Sequence, residues 1–325
     1  RHIYTITIKG LLEMTAIKNQ IQMFFLLALI IFLIIFAPQA ATGAKNGLLL
    51  WFNNVLPVLF PFSFLLQIIM SADTLAGISR HAGFLTRRLL HLSPFCSFCI
   101  LAGFLCGFPM GAVTASQALE NKQITRDEAQ LLSAVCNHAS PMFLTGYTLH
   151  QVLSDPPFQR CLILIFYISP FLWLWIRCCM LHHFHRLSPL AENNLLSVSH
   201  STIPFRKILL NSSELMLRIG VCMMFFAIFQ ELIHILPFIS HSAAAVLALL
   251  LEITSGTSAL STLPWPEEIK TSLIMGGTAF GGLCIAFQTY PLLHAKKLSF
   301  IQYMADKSAV GIITAALVCL LYQII

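Results

Sequence analysis

The chain has 325 residues, 57% of them hydrophobic and only 10% charged, with a formal net charge of +6. An average soluble domain is roughly a quarter charged, so a soluble protein is excluded. No long polar block interrupts the apolar runs, which leaves no room for a separate soluble domain of ordinary size and gives no reason to expect a nucleic-acid partner.

Residues 1–20 read as a cytoplasmic stub. The chain starts on Arg1, and Met14 is followed by a basic stub and an apolar run, so the first thirteen residues are expected to reflect the choice of gene start. The run 21–37 exceeds the apolar core of a secretory signal, about 7–15 residues, and suits a spanning helix, which needs roughly 17–25. It makes 21–45 an extra first transmembrane segment. Next come a span at 47–70, an apolar stretch at 93–119 broken by GFPMG, and spans at 131–153 and 161–181. The second half offers a span at 208–236, a stretch at 241–263 broken by EITSG, and spans at 272–293 and 309–325.

Lys and Arg bias decides whether the broken stretches cross. If both are re-entrant hairpins, fourteen of the nineteen basic residues fall on the cytoplasmic side: Arg1, Lys9, Lys18, Arg80, Arg87, Arg88, Lys122, Arg126, Arg186, Arg206, Lys207, Lys296, Lys297 and Lys307. Only Lys45, Arg160 and Lys270 lie outside, and Arg177 and Arg218 fall within spans. The same assignment makes 46–190 and 191–325 two repeats of opposite polarity. The expected fold is an all-α polytopic membrane protein of inverted repeats, with two re-entrant helical hairpins and discontinuous transmembrane helices. The ten cysteines are scattered through apolar runs and imply no disulfide framework; Cys96 and Cys99 read as core packing.

Local detail repeats as well. Gly111 in GFPMGAVTASQAL is followed, after a polar arm, by NHASPMF; Gly256 in EITSGTSALS is followed, after its own arm, by GTAFGGLC. Matched small-residue breaks in two halves point to an inverted-repeat transporter, while each break alone also suits close helix packing. GFPMGA, SAVCNHASPMF, LLLEITSG and GGTAFGGLC followed by Gln288, with LPVLFPF near Pro57, resemble the sporulation integral membrane protein YlbJ family of the nucleoside-recognition or gate-domain group, over about 50–293. The resemblance implies a fold similar to concentrative nucleoside transporters, with a substrate site enclosed by hairpins and partly unwound helices. It also implies movement of dipicolinate across the outer forespore membrane in a spore former, and otherwise a place in the bacterial cytoplasmic membrane. Where family members tend to carry Asn-Asn and a tyrosine, this chain has Asn137-His138 and Phe108.

Non-helical backbone at membrane depth survives only against protein or a water-filled space. Gly107 and Gly111 permit close approach, Pro109 removes a donor, and Gly256, Gly281 and Gly282 mark the corresponding breaks. Broken helices aim partly positive N-terminal ends at the site, which suits an anion. Thr114, Ser140, Thr254, Ser255 and Thr257 add hydroxyls, and Asn53, Asn54, Asn137, His138 and Gln288 add polar groups that either read a substrate or bond across helices. An intramembrane carboxylate is costly, so Glu252 either binds a coupling cation (Na+ or H+) or the substrate, or caps the hairpin. Arg218, about 16 Å in from Lys207, is either the counter-charge for a carboxylate substrate or the i,i+4 partner of Glu214. The HHFHR cluster (His182, His183, His185, Arg186) reads as an interfacial anchor on lipid headgroups rather than a metal site.

These features point to a secondary transporter of a small organic anion working by alternating access. Enzymatic motifs such as H-E-x-x-H and G-x-S-x-G are missing, so no enzyme or cofactor is expected. A Walker-type loop is also missing, so energy comes from an ion or substrate gradient. A nucleoside or other small-metabolite transporter, and a non-transporting gate or assembly protein, are the alternatives.

Overall fold

Apolar runs of this length have to satisfy their backbone internally, and helices do so; among the described residues there is no strand. A computed structural model describes residues 23–71 apart from 25, then 83, 86–88, 90–154, 156, 158–183, 204–233, 235 and 239–324. The stub 1–20, His185 and Arg186 lie outside the described residues.

Helix α1 (Leu26–Ile35) ends in a 98° bend at Phe36. α2 (Ala37–Leu50), a π-helical turn (Trp51–Val55) and α3 (Leu56–Ser71) follow without a gap. The expected outer loop after residue 37 is therefore helical, and Lys45 sits on α2. α2 packs on α8 (Phe205–Ile233) through Gly43 and Gly47, where an added Cβ would come within 2.8 Å of Ala227.

The next group is α4 (Cys96–Cys106) and α5 (Met110–Glu120), folded against each other around Gly107–Pro109, then α6 (Arg126–Val135), an irregular stretch at 136–140, the π-helix Phe143–Val152, and α7 (Gln159–His183). Glu128 ties two of these together. It completes the capping box of Thr125 at the start of α6, and it accepts from the Ser93 N–H (2.5 Å) and hydroxyl (2.9 Å) ahead of α4. Cys96 and Cys99 are buried in the apolar core there.

The second group has the same order: α9 (His241–Leu251) and α10 (Ile253–Ser261) folded against each other at Glu252, then α11 (Glu267–Phe280), α12 (Gly282–Ala295) and α13 (Phe300–Ile324). α11 and α13 approach closely at Gly276 and Gly311, each of whose added Cβ would meet the other's carbonyl oxygen at 2.8–2.9 Å. The expected spans 131–153 and 272–293 are thus discontinuous, at 136–140 and at Gly281-Gly282.

Among the described residues α7, α8, α13 and the consecutive pair α11–α12 are long and apolar enough to cross a membrane, which makes four spans, or five with the bent pair α1–α2 counted. Their outer faces carry large apolar side chains, for example Leu164, Ile168 and Trp175 on α7 and Leu210, Leu217 and Val221 on α8. Contiguous apolar surface of this kind suits hydrocarbon.

The two helix pairs end near opposite ends of α13. Glu120 pairs with Lys296 (2.8 Å), and Gln130 exchanges hydrogen bonds with the backbone of Ser299, both next to the start of α13. Lys270 reaches the Ser261 carbonyl at the end of α10, while Glu268 and Thr271 meet Cys319 and Tyr322 near the end of α13. A 25-residue helix is about 37 Å long, so the outer ends of the two pairs are separated by about a membrane thickness.

One basic residue is misplaced by the sequence reading. Lys307 counts there as a cytoplasmic charge ahead of a span at 309, but α13 begins at Phe300, and Lys307 lies inside it at 1% exposure.

Candidate functional site

Each break has a local cause. At Gly107 the backbone takes φ 79°, a left-handed conformation that favours glycine, and Phe108 and Pro109 turn the chain into α5. An added Cβ at Gly107 would lie 2.8 Å from the Ser140 nitrogen, and one at Gly111 would lie 2.1 Å from the Cys136 oxygen, so the turn is seated directly on the irregular stretch 136–140. Glu252 is extended (φ −147°, ψ 125°), which ends α9 and starts α10. Gly281 and Gly282 both have positive φ, and they abut the Phe108 ring and the Leu251 carbonyl respectively.

Three of the four breaks, together with the first turns of α12 just after the fourth, line one cavity of about 240 Å3. Phe108 comes from the first helix pair, Ser140 from the second break, Glu252 and Thr254 from the second pair, and Gln288 from α12. Asn53 and Asn54 of the first π-helical turn and Tyr147 and Gln151 of the second π-helix complete its polar lining. The volume lies just below the roughly 300–1,000 Å3 of drug-sized sites and so suits a small metabolite.

The freed backbone groups are satisfied by specific side chains, as burial demands. Tyr167 donates to the Ala139 carbonyl (3.2 Å), Tyr147 to that of Thr254 (2.5 Å), and Gln230 to that of Ala248 (2.9 Å). Lys307 Nζ donates to the carbonyls of Asn137 (2.7 Å) and Ala279 (2.6 Å) and stands 4.9 Å above the centre of the Phe108 ring.

Glu252, 4% exposed, acts as an N-cap as well as lining the cavity. Its carboxylate accepts from the backbone N–H of Thr254 and of Ser255, at 2.9 Å each, and Ser255 Oγ lies between Glu252 Oε2 (2.8 Å) and Gln230 with one proton for the two. The N–H groups expected to greet an anion at this tip are therefore occupied. Those of Met110 and Ala112 at the other tip turn back on Gly107 and Pro109.

The other residues singled out from sequence fall into three positions. Thr114 and Thr257 are buried and donate to carbonyls one turn back, so they serve their own helices. Gly107, Pro109, Gly111, Gly256, Gly281 and Gly282 shape and seat the breaks. Asn137 lies behind the cavity wall, its Nδ2 held by Thr289 (3.1 Å) and Tyr303 (2.9 Å), and His138 bonds the Phe166 carbonyl (3.1 Å) among aromatic rings.

Arg218 lies elsewhere. It pairs with Glu214 on an exposed face of α8, the two side chains 59% and 61% exposed, while its neighbour Ile219 lines the cavity.

Lys307, Tyr147 and Gln151 were not singled out from sequence. For Lys307 the available signal was the unbroken helical run from Phe300, which offers no turn residue between Lys307 and Val310.

The chain is similar to the sporulation integral membrane protein YlbJ of Bacillus subtilis (strain 168), with 32% identity over 114 residues, or 34% of this chain. The match spans about a quarter (27%) of that relative's length, and it agrees with the likeness carried by the motifs. No family model and no solved structure matches the chain.

Proposed function

We propose that the chain is a secondary membrane transporter of a small organic anion, dipicolinate in a sporulating cell, held where the four breaks meet. One observation carries this reading: breaks far apart in sequence line one cavity, mostly apolar with a few amide and hydroxyl groups, and the helix pairs that bring two of them there end near opposite ends of α13. Helix pairs that enter a bilayer from opposite faces and meet about a common site are the layout of alternating-access carriers. The two halves are then inverted repeats, and each pair is a re-entrant hairpin that moves to open one side. The name of the Bacillus subtilis relative supplies the sporulation setting; we place the chain in the outer forespore membrane on the motif resemblance, and in the cytoplasmic membrane in a cell that does not sporulate. Amide and hydroxyl groups of Asn53, Asn54, Ser140, Gln151 and Gln288 bind the carboxylates, and the Lys307 ammonium behind Phe108 offsets their charge.

A second reading, a neutral metabolite such as a nucleoside, is favoured by Glu252 in the lining and by the position of Arg218 away from it. Entry of radiolabelled dipicolinate into liposomes containing the purified protein, with unlabelled nucleoside as competitor, tests both. Saturable entry that nucleoside does not block is expected, falling at least tenfold in Gln288→Ala. Entry no faster than in empty liposomes sinks the proposal, and block by nucleoside moves it to the second reading.

A further inference from the structure

Lys307 is a buried lysine held without a carboxylate. Among the described residues its only hydrogen-bond partners are the Asn137 and Ala279 carbonyls, with the Phe108 ring across from it. Its neighbour Asp306 faces the other way, paired with Arg177 (3.0 Å) and accepting from the Trp173 indole (3.1 Å). Burying a cation this deeply is costly unless something negative meets it.

Here the negative partners are helix ends. Asn137 lies just beyond the C-terminus of α6, and Ala279 is in the last turn of α11. Each C-terminal end carries a partial negative charge and unpaired carbonyls. In carriers built from broken helices, unwound carbonyls and half-helix C-termini are the groups that hold the coupling cation. Lys307 brings a covalently attached positive charge to just such a place, one from each half of the chain.

We propose that the Lys307 ammonium is a tethered substitute for a coupling cation. It holds the broken ends of α6 and α11 together, and the protein neither binds nor needs Na+ there. The inference rests on the transporter reading for its consequence, which is that a Na+ gradient does no work in the cycle. The occupancy itself is independent of transport. Removing the side chain beyond Cβ, as in Lys307→Ala, leaves a cation-sized space between two carbonyls and an aromatic face.

The test uses purified full-length protein in detergent and the same protein in liposomes. Thermal unfolding is measured in Na+ and in choline buffers at equal ionic strength, and with methylammonium added to choline buffer; dipicolinate entry is measured in the first two. Wild type is expected to show the same midpoint and the same entry rate with Na+ or choline. Lys307→Ala is expected to unfold roughly 3–6 °C lower, and Na+ or methylammonium, but not choline, is expected to restore at least half of that loss in a saturable way. A saturable rise of the wild-type midpoint with Na+ overturns the proposal, as does a Lys307→Ala midpoint that neither small cation raises. If that variant does not fold, the wild-type comparison decides alone. If wild type carries no dipicolinate, the transport reading falls, and the unfolding arms still judge Lys307.

Discussion

At Glu252 two demands meet in one side chain. Its carboxylate caps α10 by accepting two backbone N–H groups, and it also lines the cavity. Loss of an N-cap costs about 0.5–2 kcal/mol, so Glu252→Ala should unfold a few degrees lower than wild type. Glu252→Gln keeps an oxygen acceptor for the cap and removes only the charge. Its stability should stay within about 1 kcal/mol of wild type, while dipicolinate binds more tightly. Relief of a like-charge contact at about 4 Å across a water-filled cavity, with a dielectric near that of bulk water, is on the order of 1 kcal/mol, or about fivefold in affinity. A fivefold lower half-saturation for entry into liposomes is the expected outcome; a higher one would assign the carboxylate to binding the substrate. Arg218 gives the opposite case. Its cost at mid-span and the Glu214 spacing were both legible, but sequence cannot say which way a helix faces when the hydrophobic pattern runs all round it. The structure turns the pair outward, so Arg218→Ala should leave dipicolinate entry within about twofold of wild type, the size of effect an exposed i,i+4 pair supports. Loss of entry with normal amounts of protein in the membrane would return Arg218 to the site.

At the scale of elements, the breaks were the most legible feature, because Gly, Pro and small polar residues inside apolar runs have few other uses. GFPMG and EITSG became turns between packed helices, and Gly281-Gly282 became a positive-φ joint. What the sequence left hidden was the π-helical winding of Trp51–Val55 and Phe143–Val152, since hydropathy cannot separate windings so close in period. It also left hidden which glycines are pressed against backbone. Gly111 and Gly146 are matched opposites. An added Cβ at Gly111 would meet the Cys136 carbonyl at 2.1 Å, whereas at Gly146 nothing lies within 4 Å. Gly111→Ala should therefore push the first helix pair off the 136–140 stretch and cost about 1–3 kcal/mol by overpacking. Gly146→Ala should unfold no lower than wild type, because alanine is the better helix former, yet its methyl enters the cavity lining and should slow entry of a planar substrate. Thermal midpoints and transport rates measured side by side check this; equal midpoints for the two variants would show that the close approach at Gly111 is relaxed in the protein.

Across the whole molecule, the question is which end of α13 faces the cytoplasm. Lys122, Arg126, Lys296 and Lys297 gather where the first helix pair ends, with Lys296 joined to Glu120 and Arg126 to the Lys297 carbonyl. The other end holds Lys270, paired with Glu267 at 2.7 Å, next to Glu268. With Lys307 taken out of that count, the bias of basic residues predicts that the first end lies inside. Lys307 was miscounted because a charge near a helix start looks the same in sequence whether it lies outside the bilayer or is met by carbonyls within it. Two surface positions report the orientation. Asn121, just after α5, and Thr262, just after α10, are both exposed. Each is changed singly to cysteine in a background where the exposed Cys179 is serine. In intact cells a membrane-impermeant maleimide should label Thr262→Cys and spare Asn121→Cys, and in inverted vesicles the pattern should reverse. Labelling of both from the same side would place the outer ends of the two helix pairs on one face of the membrane, and a cavity opened alternately from two sides could not be built from them.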